Sequence, residues 1–423
     1  MADRAAIVDA VARRLDWGVD ALRRLVRVDS VAPREAACQS VLAGLLREEG
    51  LDPELAPLPE QQLRASDGFI DTGLPLENRP NVIVNWGRGE PGARSLVLNS
   101  HIDTVSHDDS AAWDAPALSG EVRGGRVIGR GAVDAKGQIV AAAMALLSLQ
   151  DAGLTPPGRV TLQSVVDEEP GGNGTLALCL GDAPADAAIV LEPTGNCVAY
   201  GHRGIMGLRF VVRTEAGHGA VAGAASGAID RAAEVVATLK PTLNGWASTQ
   251  DAAYGPPSLN VGRIEGGEDI FSTPRRCAIE VGLRYAPGTK AELLVAVKDA
   301  VAPLGIDWDG ETSDIHAEVF SHYDAAETPA THALVTGLLE AARQSVPESQ
   351  LITFPGGCDA RHFVNRLGVP TVVFGAGELT SAHRPNEALC LDELLAASQT
   401  LACFITRWCS DPSETAERCP HVD

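Results

Sequence analysis

Four short apolar runs, separated by segments with helical spacing, constrain the fold of this chain more than any other feature. The runs are SLVLNS (95–100), RVTLQSVV (159–166), AAIVL (187–191) and PTVVF (370–374). Apolar runs of this length are typical of strands buried on both faces. Between the first two, residues 138–153 are rich in alanine and leucine and end at a glycine, which predicts a helix. This alternation predicts an α/β fold with a mixed, mostly parallel sheet flanked by helices.

The middle of the chain has a different pattern, which predicts an inserted domain. It contains two strand-like segments, at 207–219 and 277–288. It also contains two amphipathic helical segments, at 226–240 and 290–305. We therefore expect residues 199–317 to form an α+β insert with its own antiparallel sheet. Residues 1–198 and 318–423 would together form one discontinuous catalytic domain, because 423 residues are too many for a single core.

Charge and composition argue against two classes of partner. The net charge is −22, and such a surface repels nucleic acid and anionic lipid headgroups. No apolar run approaches the roughly 20 residues of a membrane helix, and the N-terminal segment carries charges throughout, unlike a signal peptide. We therefore expect a cytoplasmic protein. The nine cysteines include no CxxC pair, which favours free thiols over disulfides or a thiolate zinc site.

Histidine and acidic residues follow the predicted strands, where a sheet of this type gathers its ligands. These residues are His101, Asp103, Asp134, Asp167, Glu168, Glu169, Glu192 and His383. Two histidines and several carboxylates, without cysteine, match zinc, cobalt or manganese. Two neighbouring divalent ions need one shared carboxylate and further ligands of their own, and the inventory also leaves one carboxylate as a general base and one to orient a histidine.

The sequence blocks resemble those of a known family in both content and order. They are LNSHIDTV, GRVIGRGAVDAKG, VVDEEPGGNGT, LEPTG, a block with GHG, SLNVGRIEGG, PGGCDARHF and AHRPNE. The family is the zinc peptidases and deacylases that include acetylornithine deacetylase, succinyl-diaminopimelate desuccinylase, glutamate carboxypeptidase and aminoacylase. The resemblance extends from about residue 10 to about residue 408.

The resemblance implies a role for each residue of the set. The metal ligands it implies are His101 and Glu192 for one zinc, Glu169 and His383 for the other, and Asp134 as the bridge. Asp103 would orient His101, since residues two apart on a strand point the same way. Glu168 would be the general base that acts on a water bridging the two metals. The family also implies a cis peptide bond after Asp134.

The inserted segment resembles the family's lid, which dimerises and closes over the site. His218 would reach the partner subunit's site and stabilise the oxyanion there. The residues implied near the substrate are Asn260, Arg284, Gly357 and Arg361. The chain departs from the family pattern after His218, where Gly-Ala-Val-Ala stands, at Cys358, where Ser or Thr is common, and at Ala135, where Met is frequent. The first two departures concern specificity, and a nucleophilic role for Cys358 is an open alternative.

The expected activity is di-zinc-dependent hydrolysis of an amide bond. The substrate would be an N-acyl amino acid or a small peptide with a free carboxylate, as for a deacetylase, and the protein would be a homodimer. One alternative is a dipeptidase or carboxypeptidase of the same family, and another is a biosynthetic enzyme that processes amides. A non-catalytic binding scaffold is disfavoured by the intact set of presumed site residues.

Overall fold

The computed structural model describes residues 4–108, 112–181, 185–215, 217–218, 227–242, 253–308 and 314–412. In these ranges the α-helices are α1 (Arg4–Arg13), α2 (Leu15–Val26), α3 (Ala36–Glu48), α4 (Glu60–Arg64), α5 (Lys136–Asp151), α6 (Asn173–Cys179), α7 (Ala228–Thr242), α8 (Lys290–Val301), α9 (Ala333–Ser345) and α10 (Leu391–Trp408). The strands are β1 (Pro53–Ala56), β2 (Asn81–Trp86), β3 (Leu96–His101), β4 (Glu121–Arg123), β5 (Arg126–Ile128), β6 (Val160–Val165), β7 (Ala188–Leu191), β8 (Val198–His202), β9 (Gly204–Arg213), β10 (Gly217–His218), β11 (Ser258–Gly266), β12 (Ser272–Thr273), β13 (Arg276–Tyr285), β14 (Ile306–Asp307), β15 (Ile315–Tyr323), β16 (Ala326–Glu327), β17 (Leu351–Phe354), β18 (Thr371–Phe374) and β19 (Ala388–Cys390).

The contacts divide the chain into two compact units. Within the described ranges, unit 1 takes its residues from 4–201, 327–354 and 358–412, and unit 2 takes its residues from 202–326 and 355–357. The insert therefore ends later than the border at residue 317 that the sequence suggested. The reason is that β15 pairs along its length with β9 and so belongs to the sheet of unit 2.

The four apolar runs of the sequence form the centre of the sheet in unit 1. The strand order is β1-β2-β6-β3-β7-β18-β8-β16, and β17 pairs with β8. The central strands β6, β3, β7 and β18 are parallel to their neighbours among these four, whereas β1, β2 and β8 pair antiparallel. Every residue of the four central strands is buried, as expected for strands covered on both faces. The predicted α/β fold class, with a mixed sheet flanked by helices, is confirmed.

Helix α5 lies in the core of unit 1. Its residues from Lys136 to Leu149 are all buried, which is typical of a helix that is apolar on every side. It packs against α1, α2, α10 and β3. Near its first turn, the Gln138 amide donates to the Val133 and Ala376 carbonyls and accepts from the Ala376 N–H. The start of α5 is thereby held against the segment that follows β18.

Unit 2 has a five-stranded sheet in the order β11-β13-β9-β15-β14. The first four strands are antiparallel to their neighbours, and β14 runs parallel to β15. Alternate residues of β13, from Cys277 to Tyr285, are buried. Helix α7 packs on β13 and β9, and α8 packs on α7, so one face of the sheet is covered. The other face carries exposed or half-buried side chains such as Arg284.

None of the described helices is both long and apolar enough to cross a membrane. The longest of them, α10, has 18 residues and carries Asp392, Glu393 and Arg407 near its ends. Its buried side packs on α5, α9 and α1. The eight cysteines within the described ranges are free thiols.

We predict that Leu146→Ala in α5 lowers the free energy of unfolding by about 2–5 kcal/mol, because Leu146 is fully buried and its removal leaves a cavity. The control is Leu55→Ala on β1, where the leucine is 39% exposed and the expected loss is below about 1.5 kcal/mol. Urea denaturation followed by circular dichroism measures both. Equal losses in the two variants would contradict the central position of α5.

Candidate metal centre

The carboxyl ends of three neighbouring parallel strands bring the predicted residues to one edge of the sheet. His101 is the last residue of β3 and pairs in register with Val165 of β6. Glu168 and Glu169 lie in the loop that follows β6, and Glu192 directly follows β7 on the other side of β3. Asp134 lies just before α5. Ligand sites in sheets of this kind form at such an edge.

Asp134 contacts both histidines of the cluster. Its Oδ1 lies 3.0 Å from His101 Nε2, and its Oδ2 lies 3.2 Å from His383 Nε2. His383 Nε2 is also 2.9 Å from Glu169 Oε1, and Glu192 Oε1 is 3.7 Å from His101 Nε2. One atom each of His101, Asp134 and Glu169 lies within 4.8 Å of the other two, so this triad could hold a cation. The two oxygens of Asp134 face different histidines, as a bridging carboxylate requires.

Asp103 contacts His101 in a different way from the one expected. His101 Nδ1 lies 2.9 Å from the main-chain carbonyl oxygen of Asp103 and 3.8 Å from its carboxylate. Strand β3 ends at His101, so the alternation of a strand no longer directs the Asp103 side chain. Its carboxylate instead accepts hydrogen bonds from the N–H groups of Glu168 (3.2 Å) and Glu169 (3.0 Å). Asp103 therefore orients the imidazole ring with its carbonyl. Its carboxylate holds the loop after β6 that carries Glu168 and Glu169, which we call the glutamate loop.

Glu387 supports the site and was missed by the sequence reasoning. Its buried carboxylate accepts from the N–H groups of Val133 (2.8 Å) and Asp134 (3.1 Å) and from Arg130 Nη1 (2.8 Å). These bonds hold the backbone at Asp134, where the structure has the cis peptide bond Asp134–Ala135 that the resemblance implied. Its position in the sequence could have indicated this role, because Glu387 ends the same AHRPNE block that contains His383.

The cluster carries an excess of buried negative charge. The imidazoles of His101 and His383 lie beside the carboxylates of Asp134, Glu169 and Glu192, and the charge of Glu168 acts on His101 without such a contact. Of these four carboxylates, all but that of Glu169 are buried. Burial raises the pKa of Glu168 and of Glu192 well above the usual range. Hydrogen bonds to Asp134 and Glu169 raise the pKa of His383 to about 10. Burial would raise the pKa of Asp134, but its hydrogen bonds with His101 and His383 outweigh burial and lower it. A divalent cation would offset this charge, so the donor set fits a metal such as zinc.

The residues expected near the substrate lie in different parts of the chain. Asn260 is exposed on β11 and Arg284 is exposed on β13, and Gly357 belongs to unit 2 by its contacts. His218 lies on the short strand β10, and its side chain is outside the part that the structure describes. Arg361 is buried in unit 1, where its guanidinium donates to the carbonyls of Gly171 (3.0 Å) and Cys358 (3.2 Å). In this structure Arg361 therefore tethers the glutamate loop.

Cys358 does not have the surroundings of a nucleophile. Its side chain is buried in an apolar cluster. Burial, and then the nearby negative charge of Glu192, raises the pKa of the thiol well above its usual value. A reactive cysteine needs the opposite shift, since the thiolate is the attacking species. The geometry favours a packing role for this side chain.

We predict that Asp134→Ala lowers the divalent metal content of the purified protein severalfold, because one carboxylate reaches both histidines. The control is Asp108→Ala, at an exposed position in the loop after β3. Inductively coupled plasma mass spectrometry gives the metal per chain for both variants and the wild type. Equal metal content in all three would contradict the bridging role of Asp134.

Comparison with known proteins supports the resemblance seen in the sequence. Peptidase family M20/M25/M40 matches residues 97–407. N-formyl-4-amino-5-aminomethyl-2-methylpyrimidine deformylase from Halalkalibacterium halodurans is 30% identical over 367 residues, which cover 78% of this chain and 83% of that protein. A probable carboxypeptidase from Aspergillus terreus is 26% identical over 392 residues, covering 89% of this chain and 83% of that one.

A solved structure shows the same fold. The dipeptidase Dug1p from Saccharomyces cerevisiae matches with a TM-score of 0.76 at 13% identity, over 97% of this chain and 99% of that one. Metallopeptidases of the matched family use divalent metals, in agreement with the donor set around Asp134. The chain therefore belongs to peptidase family M20/M25/M40 and is a hydrolytic enzyme of the peptidase and deacylase kind.

Proposed function

We propose that this protein is a di-zinc hydrolase that cleaves the amide bond of an N-acyl amino acid or of a small peptide with a free carboxylate. The observation that carries the proposal is the contact of one carboxylate, Asp134, with His101 and His383 through its two oxygens. Glu169 and Glu192 add one carboxylate beside each histidine. This is the ligand inventory that two neighbouring ions need.

The proposed ligands divide between the two ions. His101 and Glu192 would hold one ion, Glu169 and His383 the other, and Asp134 both. Zinc suits these nitrogen and oxygen donors, and cobalt or manganese would also fit. When bound, such ions lower the pKa of water and polarise a scissile carbonyl.

Glu168 is the proposed general base. It lies next to Glu169 but makes none of the histidine contacts described above, and its backbone N–H is held by Asp103. It takes a proton from the attacking water and delivers it to the leaving amine. Burial raises the pKa of its carboxyl above the usual range.

Unit 2 is the proposed lid and dimerisation domain. Its described residues include seven exposed large apolar side chains, of which Ile270 (89%), Phe271 (73%) and Ile264 (57%) are the most exposed, and this favours a surface that another protein covers. In the homodimer, His218 of the partner subunit would stabilise the oxyanion. Arg284 would pair with the substrate carboxylate through its planar guanidinium, with Asn260, Gly357 and Arg361 nearby. We place the enzyme in the cytoplasm, acting on a small molecule without nucleic acid or membrane.

The name of one relative favours deacylation over peptide hydrolysis. The protein that is 30% identical is named for removal of a formyl group from an amine nitrogen. The probable carboxypeptidase, at 26% identity, keeps an exopeptidase as the second candidate. A biosynthetic amide-processing role uses the same transition state, so it shares the site described above.

We predict that Glu168→Gln lowers kcat by about 10²–10⁴-fold, because proton transfer by the base is lost, while the metal content stays at the wild-type value. The control is Glu54→Gln on β1, an exposed position remote from the cluster in sequence. Steady-state kinetics and metal analysis are made on the same preparations. Parallel loss of metal and activity would make Glu168 a ligand and not the base.

We predict that N-formyl, N-acetyl or N-succinyl amino acids give a higher kcat/KM than dipeptides with the same C-terminal residue. Methyl esters of the best substrate should lose about 10²-fold or more, because a site built for a carboxylate leaves Arg284 unpaired when the charge is removed. Release of free amine measures every substrate in one assay. Faster cleavage of dipeptides would establish the exopeptidase instead.

A further inference from the structure

We infer that Arg79 is a positioning residue for the general base, acting through Asp167 on the loop that carries Glu168 and Glu169. The inference deepens the proposed function and rests on it, since it takes Glu168 as the base. Arg79 lies in the RPN segment before β2, and the proposed mechanism gives that segment no role.

Asp167 is held in an unusual conformation directly before Glu168. Its φ is 67°, in the left-handed region that residues other than glycine seldom adopt. Both carboxylate oxygens are used, because Oδ1 accepts from Arg79 Nη2 at 2.6 Å and Oδ2 accepts from Asn173 Nδ2 at 2.6 Å. Its carbonyl accepts from the N–H groups of Gly171 and Gly172. These bonds fix the direction in which the chain leaves β6 toward Glu168.

Arg79 is itself held rigidly. Its side chain is 1% exposed, and all three guanidinium nitrogens donate hydrogen bonds. Nε and Nη2 donate to the two oxygens of Glu35, and Nη1 donates to the Pro75 carbonyl. Because the planar guanidinium donates to three different groups at once, its orientation is fixed. A lysine ammonium could not reproduce this geometry. Asp167 therefore contacts a fixed donor.

The same segment contacts the loop at a second point. Asn81, two residues after Arg79, accepts from the Val166 N–H at 3.1 Å and donates to the Gly174 carbonyl at 2.8 Å. Because β2 pairs antiparallel with β6, the start of β2 lies beside the end of β6. With Asp103 holding the amides of Glu168 and Glu169, each residue from 166 to 169 has a bonded backbone or side-chain group.

Two roles for Arg79 make different predictions. If the arginine only neutralises Glu35 and Asp167, its replacement by another cation costs little activity. If it positions the base, loss of its geometry lowers kcat even when the charge is kept, because a misplacement of about 1 Å can cost about 10²-fold. Arg79 is hydrogen-bonded to none of the proposed ligands, and the one ligand on the same loop, Glu169, is held separately by the Asp103 carboxylate and by His383. Metal binding and KM should therefore change little in either case.

The test compares Arg79→Lys with Arg14→Lys. Arg14 also bonds two carboxylates, those of Glu49 and Asp151, but outside the glutamate loop. We expect Arg79→Lys to lower kcat by about 10–100-fold, with KM within about threefold of the wild type and metal content unchanged. Arg14→Lys should keep the wild-type kcat. Wild-type kcat in Arg79→Lys would overturn the inference.

A second pair decides the question if Arg79→Lys does not fold. Asp167→Asn and Glu35→Gln each neutralise one carboxylate that contacts the Arg79 guanidinium. Only Asp167 is adjacent to Glu168 in the chain. We expect about a tenfold or larger loss of kcat in Asp167→Asn and a clearly smaller loss in Glu35→Gln, at comparable melting temperatures. Equal kcat values in the two variants would overturn the inference.

Wild type and Glu168→Gln, assayed in parallel, separate this inference from the proposed function. If Glu168→Gln is inactive while Arg79→Lys and Asp167→Asn retain wild-type kcat, the positioning role is wrong and the base assignment stands. If Glu168→Gln retains wild-type kcat, the base assignment fails and the positioning role fails with it.

Discussion

The contact of one buried carboxylate with two histidines is the interaction on which the site of this protein depends. Asp134 reaches His101 and His383 at 3.0 and 3.2 Å, and these histidines are 282 residues apart in sequence, at 101 and 383. The backbone at Asp134 is held by the Glu387 carboxylate, which accepts hydrogen bonds from the N–H groups of Val133 and Asp134. The buried start of α5 follows directly after it in the chain. The core helix α5 thus helps to position the site residue that precedes it.

Buried charge is the cost of this arrangement, and two arginines reduce it. Arg130 pairs with Glu387 beneath Asp134, and Arg79 pairs with Glu35 and Asp167 beneath the glutamate loop. Unpaired ions in such surroundings are strongly destabilising, whereas paired and fully hydrogen-bonded ones are tolerated. Arg130 contacts a carboxylate that holds the backbone at Asp134, and Arg79 contacts the carboxylate of Asp167, which itself belongs to the loop that carries Glu168. Charge balance and geometry are therefore supplied by the same side chains.

Family membership and site geometry limit the chemistry to a narrow range. Members of the matched family and its relatives are named as peptidases, carboxypeptidases and deformylases, which all break a bond from a carbonyl carbon to nitrogen. The differences among such enzymes have to arise from the surfaces that contact the acyl group and the carboxylate.

The sequence by itself determined the main elements of the fold and the family, and it indicated the residues of the candidate metal site. Apolar runs and helical spacing are local properties, so the central strands, α5 and the sheet of unit 2 could be predicted, and the blocks around His101, Asp134, Glu169 and His383 carried the family. Tertiary structure alone decided the supporting contacts. The Asp103 carbonyl replaces its carboxylate at His101 because β3 ends there. Arg79 meets Asp167 across 88 residues because β2 pairs with β6. Such contacts depend on register and chain path, which no local pattern encodes.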